Sequence, residues 1–155
     1  GDYSNEASLY WTVLRELYEE IFGGTEVVEE TGHLRHDWYL KEAPGVEFVH
    51  TNPDKITLEL LGVGINSLLG TYDCAILLVV HDTTFWKNYS HLIQKNWENK
   101  NWLTLSTKEP MRVLSDVFRS GWYDQGMFGL AQGLQRLKEI GGHRVTGVEL
   151  DYDLI

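Results

Sequence analysis

Histidine next to aspartate at positions 81 and 82 is the pair in this chain best suited to chemistry. An imidazole and a carboxylate side by side can act as base and orienter, or share a metal ion. The pair directly follows the apolar run Cys74–Val80, which reads as a strand, and ligands of open α/β sheets collect outside the carboxyl ends of strands. The plainer reading is a loop start in which Asp82 caps the helix ahead of Phe85.

His33, His36 and Asp37 form a second cluster, H-x-x-H-D, with His50 a possible addition from a neighbouring strand. Histidines three apart share a helix face and a carboxylate can complete a divalent-metal site. The catalytic zinc spacing H-E-x-x-H is absent, and solvated loop histidines fit equally. Asp151 and Asp153 flank Tyr152 on one face of an extended terminus, where they can share a hard cation or simply be exposed.

Other signatures of chemistry fail to assemble. Gly62-Val63-Gly64 lacks the third glycine of a dinucleotide fingerprint and no Walker lysine follows it, so the glycines read as the left-handed end of a helix. There is no G-x-S-x-G elbow, and Cys74, at the start of an apolar strand, reads as a buried structural thiol. Asn88-Tyr89-Ser90 matches a glycosylation sequon, but on a predicted helix.

The elements that position these residues follow from periodicity. Tyr10, Val13, Leu14, Leu17, Tyr18 and Ile21 keep helical spacing until Gly23-Gly24 stops them, and Ser4 or Asn5 can cap the start. Thr25–Glu29 is a short-strand candidate, and His33–Lys41 has no clean period. Val46–Thr51 reads as a strand, with Asn52 capping a short helix that begins at Pro53 and buries Ile56, Leu60 and Leu61. Cys74–Val80 reads as a central strand covered on both faces. Phe85–Trp97 is helical, Trp102–Ser106 extended, and Thr107 caps a helix carrying Met111, Leu114, Val117 and Phe118. A last helix from about Asp124 to Ile140 ends at Gly141-Gly142, ahead of a strand over Val145–Leu150. Gly126, Gly129 and Gly133 line one face of that helix, and glycine there costs about 1 kcal/mol each. Close packing on the sheet, or on another subunit, would account for them.

Alternating helices and strands with long connections predict an α/β fold: a single-domain sandwich over residues 1–155 with a mixed, partly parallel sheet and helices on both faces. A length of 155 residues supports one core without staples. Thirteen basic against 23 acidic residues leave a net charge of −10, which disfavours nucleic acid and anionic membranes and favours cations and basic partners. The same charge also serves solubility alone. No run of residues is long and apolar enough for a membrane span. With one cysteine, a reducing compartment and export without disulfides both fit. The opening Gly1 and its polar run fit a trimmed start, with any targeting segment already removed.

The segment Phe118-Arg119-Ser120-Gly121-Trp122-Tyr123-Asp124-Gln125-Gly126-Met127, continuing through Gly129 and Gly133 to Leu137, resembles the end of TPM domains. Gly62-Val63-Gly64 and the strand Ala75–Val80 resemble that family's glycine pair and central strand. The resemblance implies a three-layer α/β sandwich, often exported or membrane-tethered, with divalent-cation binding and phosphatase activity. It places an acidic loop site at Asp73 and Asp82, although Tyr72-Asp73-Cys74 stands where the family has an Asn/Asp-rich turn ending in glycine. Two functions follow from the sequence as a whole. One is a non-catalytic binding or assembly module with an acidic, aromatic-rich surface, engaging a protein partner or itself. The other is a phosphoester hydrolase using a divalent cation held by Asp73, His81 and Asp82.

Overall fold

In the computed structural model, residues 8–24, 37–67, 70–94, 106–107 and 124–147 are described. They form four α-helices, Leu9–Glu16 (α1), Pro44–Thr51 (α2), Phe85–Tyr89 (α3) and Asp124–Gly141 (α4), and two strands, Ile56–Asn66 (β1) and Thr71–Val80 (β2). Short 3₁₀ turns and a π-helical turn, Leu17–Ile21, extend or join them. Two units divide the chain: residues 1–57 with 79–102, and residues 58–78 with 103–155.

In the first unit, Leu14, Tyr18 and Phe22 recur every fourth residue, so α1 and its π-helical continuation bury one stripe. Gly23, at φ +69°, ends the helix, and the Ile21 carbonyl accepts from the Gln94 N–H at 3.1 Å. Tyr39, Leu40, Ala43, Val46 and Val49 complete this core. Tyr18 stacks on Tyr39 at 5.8 Å, and the Tyr39 hydroxyl donates to the Trp11 carbonyl at 3.2 Å. Burial pushes the Tyr39 phenol up to about 12.

Val46–Thr51, expected as a strand, is α2 instead. Pro44 occupies its first turn, where a missing N–H costs nothing, and Val46 and Val49 fall one turn apart on the buried face. Gly45 meets the Phe22 ring: a Cβ there would lie 2.1 Å from Phe22 Cζ, so no larger residue fits without displacing the ring. The helix expected to begin at Pro53 is a single turn, Pro53–Lys55, and Ile56, Leu60 and Leu61 belong to β1.

Among the described residues the sheet is a two-stranded antiparallel hairpin, which overturns the partly parallel sandwich expected from the sequence. The reason is local. Once Ile56–Asn66 is a strand, only Ser67–Gly70 separates it from β2, too short for a crossover and suited to a hairpin loop, with Gly70 at φ +68°. Among the described residues β2 therefore has one neighbouring strand and is not the central strand expected. Its burial alternates, with Ala75 and Leu77 buried and Tyr72 and Cys74 exposed.

In the second unit α4 packs on the hairpin. Its Leu134 is buried, as are Ala75, Leu77 and Val145. Arg136 forks onto Glu59, Nε to Oε2 at 2.6 Å and Nη2 to Oε1 at 3.0 Å. Gly62 also meets α4: a Cβ there would come within 3.0 Å of the Phe128 ring. Glu59 and Gly62 are of opposite parity, so the strand alternation shifts by one residue between them, as at a β-bulge. Neither Gly62 nor Gly64 is left-handed or ends a helix; both lie within β1. Gly142, at φ +50°, closes α4 as expected.

Of the helix expected over Phe85–Trp97, Phe85–Tyr89 is α-helical and Ser90–Leu92 is a 3₁₀ turn, and residues 95–97 lie outside the described residues. Val145–Gly147 is not extended into a strand. Thr25–Glu29, His33, His36, Trp102–Leu105, the helix after Thr107, the aromatic turn at Gly121–Tyr123 and Asp151 with Asp153 lie outside the described residues.

Candidate functional site

The hairpin brings the start of β1 beside the end of β2, and this builds the polar cluster around His81 and Asp82 in the first unit. The His81 N–H donates to the Lys55 carbonyl at 2.8 Å, carrying the ladder one step past the strands. Its Nε2 lies 2.7 Å from Thr57 Oγ1. Asp82 Oδ2 accepts from Lys55 Nζ at 2.8 Å, and Oδ1 accepts from the Thr84 N–H at 2.8 Å and from its hydroxyl at 2.5 Å. The Lys55 hydrogen bond, then those from Thr84, hold the Asp82 carboxyl well below its ordinary range. Lys55 is correspondingly raised, chiefly by the bond to Asp82, and its ammonium also lies 5.4 Å from the centre of the Phe48 ring.

Asp82 thus closes a local turn through Thr84 rather than capping the first N–H groups of α3. Both its oxygens are engaged, and Lys55 already supplies the positive charge a cation would bring. Asp73 is the third residue of β2 and lies in the second unit, whereas His81 and Asp82 follow the strand's last residue in the first. Among the described residues no group of three or more His, Cys, Asp or Glu side chains converges. The arrangement gives a divalent cation at Asp73, His81 and Asp82 no support. His50 sits on α2, not on a strand; its Nδ1 lies 3.0 Å from the Tyr10 hydroxyl and its ring packs on Trp11 at 5.2 Å.

The second unit offers a different kind of site. The loop register sets Ile65 opposite Tyr72 and Val63 opposite Cys74, on the face turned away from α4. These side chains are open to solvent: Ile65 is 69%, Tyr72 72%, Val63 52% and the neighbouring Leu60 51% exposed. Cys74, expected as a buried thiol, is exposed with them.

Along the other side of β2 runs a cavity of about 450 Å³, lined by Asp73–Leu77 and by the Gly129, Gly133, Leu134 and Leu137 side of α4. Asp73 carries a buried carboxylate oxygen, Oδ2, without a hydrogen-bond partner. Sequence reasoning missed Lys55 and the exposed face for one reason: each requires β1 to be a strand. A signal was present in Gly62-x-Gly64, whose period of two places both glycines on one side of a strand.

Among the described residues no helix is long and apolar enough to cross a membrane. No family model matches the chain, and neither a curated protein nor a solved structure matches it. The likeness to TPM domains therefore rests on the residues quoted for it, and the three-layer sandwich it implied is replaced by the hairpin.

Proposed function

We propose that this chain is a non-catalytic binding module whose contact surface is the outer face of the β1–β2 hairpin. The observation that carries the reading is the solvent-facing pairing of Ile65 with Tyr72, continued by Val63 and Cys74. Apolar side chains scattered singly are ordinary, but cross-strand neighbours on one face form a continuous patch, and such patches mark interaction sites. Tyrosine suits a contact surface because it adds large area at small entropic cost. The acidic charge of −10 supports the reading by disfavouring nucleic acid and anionic lipid as the partner and leaving protein.

Sedimentation velocity from micromolar to millimolar concentration tests this. Wild-type chain is expected to associate with itself as concentration rises, and Ile65→Lys to remain monomeric while keeping its circular dichroism spectrum. Wild-type chain that stays monomeric throughout, with Ile65→Lys indistinguishable from it, would remove the reading.

A further inference from the structure

We draw no further inference here: the strongest candidate, the side-chain pair of Thr57 and His81 at the end of the hairpin away from its loop, with Oγ1 and Nε2 2.7 Å apart, belongs to the polar cluster around Asp82 already described, and one hydrogen bond does not build a further site.

Discussion

Gly45 and Gly133 show what a single missing side chain does in two settings. At Gly45 a methyl group would press into the buried Phe22 ring, so Gly45→Ala should destabilise the first unit by about 1–3 kcal/mol in urea unfolding. At Gly133 the same substitution meets open space and gains helix propensity, so Gly133→Ala should stabilise by up to about 1 kcal/mol. Two ionisable groups give stability opposite pH trends. Asp82 is depressed in the folded chain, so its contribution is present above its unfolded pKa and is lost as pH falls through that range toward the lower folded value. Asp82→Asn should flatten the fall in melting temperature below about pH 4. Tyr39 is raised to about 12, so its contribution is complete below its ordinary value near 10 and disappears as pH rises toward 12. In an absorbance titration at alkaline pH, Tyr39→Phe should delete a late-ionising phenol.

Elements divided into those legible from the residues and those decided by partners. α1 and α4 keep helical spacing over long stretches and end at glycines, and both lie close to where the periodicity predicts. α2 did not read as a helix because valine, phenylalanine and threonine favour strands and its eight residues are too few for periodicity to outweigh composition. Pro44, at the first helical turn, was the stronger signal. β1 was misread in the opposite sense: Asn52-Pro53 begins a turn but not a helix, and the leucines that looked like one helical face alternate along a strand. This single exchange removed Lys55 from view as the partner of Asp82, since 27 positions of sequence separate residues that the hairpin makes adjacent. His81 and Asp82 were found because they follow β2, and β2 was plain. At this scale the hairpin also carries a prediction: Tyr72→Thr together with Ile65→Thr should keep β propensity and the melting temperature while reducing self-association.

For the whole molecule, a charge of −10 makes ionic strength a discriminating variable. Self-association through an apolar face brings like-charged chains together, so added salt should strengthen it in sedimentation by screening their repulsion. Raising salt from about 0.05 to 0.5 M should therefore strengthen self-association, and a weakening would show that opposite charges rather than the apolar face hold the copies together.

Cys74 is the only cysteine in the chain, lies on the solvent-facing side of β2 and also borders the cavity. Its thiol is therefore a native meter of occupancy. The rate at which a chromogenic disulfide reagent modifies it reads, without any introduced label, how much of the time the neighbouring face is covered. Slowing at high protein concentration reports that copies of the chain cover the face.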